Sequence, residues 1–372
     1  GILAADDGSI SLETFEHVAR LGTVPPIQAP RDVEARYSRF GGTTHFIAAN
    51  YSPDFPTSAE VILEMWRRSG APPLDGVIAA DPVLMSYLLN AYGSVSTSVW
   101  PEPLTPETVS TILHRDTFTL PKGDSDAAQE GIGEAFWGTV LDNPLPIGGL
   151  IDPLTRGVRE RHLQVYSTDP EEQDALVDLG AGGQVELTSN PLYVVWQDAT
   201  AARAGFFARK QGVHRVSLAA DGSATVETEV ILENGAPDGP PSSLLGEGAT
   251  GDPIGYFAAF VNVYLPQGAT DVESSVEPGV PLGIVEQEFG HPVATELIGA
   301  PPGEEARMTV TYEVPEAAVR RGDVWEYRLG YLPQPALSPS GLMVEINLPP
   351  EAEVVATSPG LTPSGLGLRF QG

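Results

Sequence analysis

Three groups of residues in this sequence have types and spacings that could do chemistry. Arg36 and Arg39 lie in a Gly-containing stretch, and two neighbouring guanidinium groups can clamp a phosphate in bidentate fashion. The competing reading pairs them with the nearby acids Asp32 and Glu34, as surface arginines commonly are. Arg156, Arg159 and Arg161, followed by His162, form the most basic island of the chain. Arg156 and Arg159 are spaced i, i+3 and share a helix face, which suits an anion site. The plainer reading, which the dipole argument favours, is a helix C-terminus whose cations offset its own dipole. Asp54, Asp75 and Asp81 are the acids best placed for metal binding or acid–base work. Asp75 and Asp81 bracket an expected strand, and strand ends in α/β layers are where ligands sit. The plainer alternative, which the local sequence favours, is an Asx turn or helix cap for Asp54 and a cap ahead of Pro82 for Asp81. Tyr256, Phe257, Phe260, Tyr264, Trp325, Tyr327 and Tyr331 could stack on sugars, although their alternation along strands assigns them first to core or sheet faces.

The familiar catalytic and cofactor signatures are missing. The chain has no cysteine, which removes thiolate metal sites, Cys nucleophiles and disulfides together. Its six histidines are isolated, with no His-Glu-x-x-His or other zinc spacing. No Gly-x-Ser-x-Gly elbow, phosphate-binding glycine loop or dinucleotide fingerprint occurs. Asp6, Asp7, Asp124 and Asp126 read as turn acids, since EF-hand spacing is absent. No catalytic residue and no cofactor is assigned; a divalent cation on the three aspartates is the one candidate.

The elements that must position these residues follow from periodicity and punctuation. Residues 1–20 read as a hairpin turning at Asp7-Gly8. Residues 21–44 are Pro-rich and read as a long loop. A turn over 52–58 leads to a helix over 59–68, with acids early and the pair Arg67 and Arg68 late, as the helix dipole favours. Residues 74–81 read as a buried strand, and Pro82 opens a further helix ending near Gly93. This helix–strand–helix order argues for a layered α/β domain. Another helix is expected from Thr105 and Pro106. Residues 126–163 read as short helical stretches broken by Pro and Gly, 162–167 as a strand, and 171–179 as a helix closed by Gly180. After residue 182 the texture changes to short alternating strands at 192–196, 213–218, 224–232, 256–265, 284–289, 307–314, 324–331, 342–348 and 366–370. The expectation is an α+β multidomain chain: an N-terminally incomplete α/β domain over 1–182, then an antiparallel β-sandwich half over 183–372, as one sandwich or two small β domains. The opening in mid-hairpin suggests an upstream segment.

Composition narrows the partners. The 372 residues carry a formal net charge of -30, shared equally by the two halves of the chain. Such a surface repels nucleic acid and anionic lipid. Of the 20 basic residues only Lys122 and Lys210 are lysines, and with the abundance of Ala, Gly and Pro this suggests a GC-rich genome such as an actinobacterium's. No apolar run is long enough to span a membrane.

Three stretches carry a family resemblance: 50–59 (Asn-Tyr-Ser-Pro-Asp-Phe-Pro-Thr-Ser-Ala), 75–82 continuing to Leu88, Leu89 and Tyr92 to Val95, and 163–173. They resemble an exported actinobacterial family of unknown function (domain of unknown function, number 4012). The order of elements is also similar to the LytR-CpsA-Psr transferases, which move glycopolymers from a polyprenyl-pyrophosphate lipid to the cell wall using arginines, acids and a divalent cation. The Ile-Pro-Arg-Asp motif of those enzymes has no counterpart here, where the corresponding place reads Glu13-Thr14-Phe15-Glu16-His17. The resemblance implies an extracellular or envelope-associated protein that binds or organises cell-wall glycopolymer, or meets another envelope protein, without catalysis. The alternatives are a LytR-CpsA-Psr-like transferase and a structural, self-assembling surface protein.

Overall fold

A computed structural model describes residues 1–6, 9–200, 202–246, 252–338, 340–364 and 367–372; the Asp7-Gly8 turn lies outside them. The chain divides into two compact units, Gly1–Val185 with Ser242–Leu244, and Glu186–Pro241 with Leu245–Gly372.

The first unit is mainly helical. Strands β1 (Ile2–Asp6) and β2 (Ser9–Thr14) pair antiparallel. The stretch expected as a loop contains a short helix, α1 (Arg31–Tyr37), because Val33 and Tyr37 recur at helical spacing and are buried. They join Val24, Ile27, Phe46, Val61 and Met65 in one core. Helix α2 (Phe55–Arg68) follows, then β3 (Gly76–Ala80) and α3 (Pro82–Tyr92). Beyond the turn at Thr105, α4 (Val109–Thr111) runs on through a π-turn and a 3-10 turn to Thr119. The expected series of broken helices over 126–163 is instead two longer ones, α5 (Lys122–Asp142) and α6 (Ile147–Arg159). Two glycines of α5 serve packing: a β-carbon on Gly133 would come within 2.2 Å of the Phe15 ring, and one on Gly131 within 2.7 Å of Val99. Pro153 stays inside α6 because the carbonyl it leaves unbonded belongs to exposed Gly149, where water can reach it. Strand β4 (Leu163–Ser167) and helix α7 (Pro170–Asp178) complete the unit.

Strand β3 is not buried. Its one partner among the described residues is β4, antiparallel, in a two-stranded ribbon that leaves Ile78 exposed. A second core gathers Leu84, Leu88 and Leu89 of α3 with Leu104, Ile112, Ile132 and Phe136.

The second unit holds two large sheets. In chain order its strands are β5 (Pro191–Asp198), β6 (Ala208–Leu218), β7 (Ala224–Asn234), β8 (Phe257–Tyr264), β9 (Thr270–Glu277), β10 (Ile284–Glu288), β11 (His291–Ala300), β12 (Glu305–Val314), β13 (Ala318–Arg321), β14 (Val324–Tyr327), β15 (Gly330–Tyr331), β16 (Gly341–Asn347), β17 (Thr362–Ser364) and β18 (Gly367–Gln371). One sheet orders them β10-β11-β8-β5-β15, the other β17-β18-β16-β6-β7-β12-β9, and β13 pairs with β14 in a separate hairpin. The two sheets share one core: Trp196, Phe257, Val261 and Ile298 from the first meet Val216, Val226, Leu232, Met308 and Val310 from the second. The pairing is mixed, not purely antiparallel. Strand β16 runs parallel to β6, and β15 parallel to β5. The outer face of the larger sheet carries a ladder of ion pairs, in which Arg215 meets Glu227 and Glu345, and Arg307 meets Glu229 and Glu305. That alternation of apolar inside and charged outside fixes the register of the strands.

Candidate functional site

The sequence-selected residues of the first unit fall into two neighbourhoods. Asp54 caps α2. One carboxylate oxygen accepts from the Thr57 amide (3.0 Å) and hydroxyl (2.6 Å), the other from the Val185 amide (2.8 Å). Arg36 is buried on α1, its Nε 3.4 Å from the Tyr37 hydroxyl, whereas Arg39 is exposed with its guanidinium 5.0 Å from the Phe40 ring centre. The two do not form a common clamp, because α1 ends between them and turns their side chains to different surroundings. Asp75 is exposed at the start of β3, and its backbone carbonyl holds the Thr168 amide and hydroxyl.

Asp81, Arg156 and Arg159 belong to the second neighbourhood, and its construction starts at the end of α6. Arg161 there has φ +64, the left-handed conformation that glycine usually supplies. Its amide bonds to Val158 and the next amide, of His162, bonds to Gly157, closing the helix in a Schellman turn. Gly157 also lets α6 approach α3, since a β-carbon there would lie 2.6 Å from Leu84. This turn sets the His162 ring beneath the N-terminus of α3. Asp81 uses one oxygen to cap that helix through the Val83 and Leu84 amides (2.9 and 3.0 Å), and the other meets His162 Nδ1 at 2.6 Å.

One turn along α3, the Tyr87 ring stands edge-on to His162, with centroids 5.9 Å apart. Its hydroxyl donates to Glu160 (2.5 Å), and the Arg156 guanidinium lies 4.0 Å from its ring centre while Nε bonds to Glu160 (3.1 Å). Arg159 reaches the same carboxylate at 3.5 Å. Burial, and then Glu160, push the Tyr87 hydroxyl up to about 12. Burial pushes Glu160 up as well, but the Tyr87 hydroxyl and Arg156 outweigh it and its carboxyl is lowered. A carboxylate-oriented imidazole is the frame of a general base. Here the His162 side chain is only 6% exposed while Asp81 is 40% exposed, so the imidazole itself is shielded from solvent and the contact joins α3 to the end of α6. Arg161 is drawn away from the island altogether, onto the carbonyls of Gly183 and Gln184. Among the described residues no group of three or more His, Asp and Glu side chains could hold a metal ion. Reasoning from sequence missed Tyr87, Glu160 and the role of His162. The signal that could have found them is the run Arg156 to His162 at a helix end, opposite an Asp-Pro cap.

The aromatic candidates of the second unit separate clearly. Phe257 and Tyr264 are core residues, Tyr327 packs against the core, and Trp325 and Tyr331 are exposed. Trp325 is 47% exposed, yet it is held in place. Its ring sits so close over Gly222 that a β-carbon there would come within 2.5 Å of it. Gly222 occupies the turn between β6 and β7 at φ +89, and its carbonyl accepts from the Ala318 amide (2.9 Å), tying the β13–β14 hairpin to that turn. Arg320 is the cross-strand partner of Trp325 and so lies on the same face. Asp221 precedes Gly222 and is exposed; its carboxyl is lowered by hydrogen bonds from Ser223. An oriented indole with an open surface and a guanidinium on the same strand face can stack on a sugar ring and bond its hydroxyls.

Comparison with known proteins adds a family at one end of the chain. The model of a family described as "Protein of unknown function (DUF4012)" matches residues 1–118. No curated protein matches the sequence. Among solved structures, a putative nutrient binding protein from Legionella pneumophila is similar at 9% identity and a TM-score of 0.30, over 49% of this chain and 65% of that one. Yeast LTA4 hydrolase is similar at 9% identity and a TM-score of 0.27, over 50% and 28%. An M1 zinc metallopeptidase from Deinococcus radiodurans is similar at 12% identity and a TM-score of 0.22, over 44% and 39%. The chain spans less than two thirds of each of these three proteins, and over residues 1–118 it is similar to the family of unknown function.

Proposed function

We propose that this is a cell-envelope protein of an actinobacterium, exposed outside the cytoplasm, that binds or organises cell-wall glycopolymer without turning it over. The observation that carries this reading is the Trp325 platform: a large aromatic ring left about half in solvent and packed over Gly222, with Arg320 as its cross-strand neighbour. Exposed tryptophan is uncommon and concentrates at binding surfaces. The acidic surface, at -30, is compatible with neutral glycans and keeps polyanions away. The helix–strand–helix order before residue 93 supports descent of the first unit from a LytR-CpsA-Psr-like core, adapted to binding.

The test is binding of purified cell-wall glycan fragments by calorimetry, with the wild type and Trp325→Ala. Binding that weakens by about tenfold or more in the variant, at unchanged melting temperature, is expected. Equal binding by both proteins, or none by the wild type, sinks the reading.

The transferase alternative rests on Arg156 and Arg159, whose side chains remain 53% and 73% exposed despite their contact with Glu160. It requires a polyprenyl-pyrophosphate analogue with magnesium to raise the melting temperature, and Arg156→Ala to cancel the rise.

A further inference from the structure

We infer that the flank of the second unit formed by the 278–283 loop and strand β10 receives an extended, basic, apolar-alternating segment of a partner protein, added as a further strand beside β10. The inference goes beyond glycan binding and does not depend on it.

The two large sheets of the second unit have four edges among the described residues, and three are guarded. Strand β9 carries Asp271, Glu273 and Glu277 and breaks register against β12 between Thr311 and Glu313. Strands β15 and β17 are two and three residues long, and β17 contains Pro363. Strand β10 is regular over all five pairs with β11, and has no Pro and no Lys. Short strands, bulges, prolines and lysines are the devices that keep edges from pairing. Strand β10 uses none of the last three, and its own acids, Glu286 and Glu288, are half-buried and buried where those of β9 are exposed.

The loop ahead of β10 is ordered by a buried acid. Glu296 of β11 is 1% exposed, and its carboxylate accepts from the amides of Leu282 and Gly283 and from the Ser274 hydroxyl of β9. With its main chain turned in toward Glu296, the loop turns side chains out. Val280 is 85% exposed, Leu282 47% and Val285 of β10 49%.

Charge selects the occupant. An antiparallel second copy centred on β10 would set Glu286 opposite Glu286, within a chain already at -30. Like charges directly opposite destabilise a strand pair. A partner strand with Lys or Arg on that face, and apolar residues opposite Val285, meets both faces of the edge. Main-chain bonds would give affinity and the alternating side chains specificity.

The probe is a fluorescent peptide of alternating lysine and valine, titrated at physiological salt into the whole chain and followed by anisotropy. The wild type is expected to bind it, slowing amide exchange in Ile284–Glu288, and Leu282→Lys/Val285→Lys to bind about tenfold or more weakly. Trp325→Ala should bind as the wild type does, which separates this surface from the glycan site. Val280→Lys repeats the test at the most exposed position should the double variant melt early. Equal binding of a lysine–glycine peptide would show charge attraction alone and overturn the inference. So would no binding by the wild type, or self-association of the wild type that the double variant abolishes, which would make a second copy the occupant.

Discussion

The polar cluster around His162 and the aromatic platform around Trp325 look alike in one respect, since each gathers groups capable of chemistry at a defined geometry. They differ in what those groups leave unsatisfied. In the cluster, Asp81 answers two amides and a histidine, Tyr87 answers Glu160, and Glu160 answers Arg156; the Asp81–His162 and Tyr87–Glu160 contacts hold α3 against the end of α6. On the platform the backbone is the held part, and about half of the indole surface still faces water. Buried polar groups find partners in any folded protein, so a well-made polar network alone argues for architecture. A rigid, exposed aromatic ring has no such structural explanation.

The largest expected effect tests the first half of this contrast. Asp81→Ala removes a helix cap and the partner of a buried imidazole, and is expected to cost roughly 3 kcal/mol of stability. Denaturant unfolding measures it. Glycan affinity of the native fraction should be unchanged, and a loss of affinity would move the binding site to the first unit.

A similar cost is expected inside the second unit, where His214 of β6 is sealed in the sandwich core with Nδ1 2.9 Å from the Thr228 hydroxyl. Burial holds its pKa down at about 4, from an ordinary 6.5. Between those values the unfolded chain takes up a proton and the native protein does not, so stability present above pH 6.5 is lost as the pH falls toward 4. The loss should reach roughly 3 kcal/mol and level off below the native pKa. His214→Gln, which can keep the bond to Thr228, should flatten that part of the stability curve measured by urea unfolding. An unchanged slope would mean that the ring is charged in the native core.

Trp325→Ala reverses the pattern. About tenfold in glycan affinity is expected to go, with stability changing by less than about 1 kcal/mol because the ring covers little core. Gly222→Val should reproduce the binding loss, since its side chain would displace the ring and its φ of +89 suits glycine alone.

The elements of this molecule were legible where local chemistry sets them. The Asp-Pro caps, the helix closed by Gly180 and the alternating strands β6 and β7 all follow from nearest neighbours in sequence. Strands β9 and β11 were not legible. Strand β9 is an acid-rich edge, and β11 carries a buried glutamate whose partners lie 13 to 22 residues away. The run 126–163 misled in part because Gly133 and Gly157 answer to packing against Phe15 and Leu84, which the sequence of a helix does not display. Capping by Asp54 and Asp81 could be weighed against metal binding from sequence. The meeting of Asp81 with His162 could not, because it depends on Arg161 adopting a conformation expected of glycine. Trp325 was visible as a sugar-stacking candidate but not as exposed, since alternation alone cannot tell a sheet's inner face from a hairpin's outer one.

The smallest effect is the most discriminating, and it concerns Arg156. Its side chain is half exposed, stacked on Tyr87 and bonded to Glu160. An exposed cation–π contact contributes about 0.5–1 kcal/mol and an exposed ion pair little more, so Arg156→Ala should destabilise by about 1 kcal/mol. Its electrostatic mark should be clearer than its energetic one. Arg156 favours both the tyrosinate and the carboxylate, so without it the Tyr87 hydroxyl should rise further and Glu160 should move back toward its ordinary value. Spectrophotometric titration of the tyrosines, and carboxyl titration by NMR, would detect the two shifts. If the cluster is architecture, inorganic phosphate should leave the melting temperature of wild type and variant alike. A phosphate-dependent rise that Arg156→Ala removes would give Arg156 a ligand beyond Glu160, and the contrast between the two regions would then be one between an anion site and a sugar site.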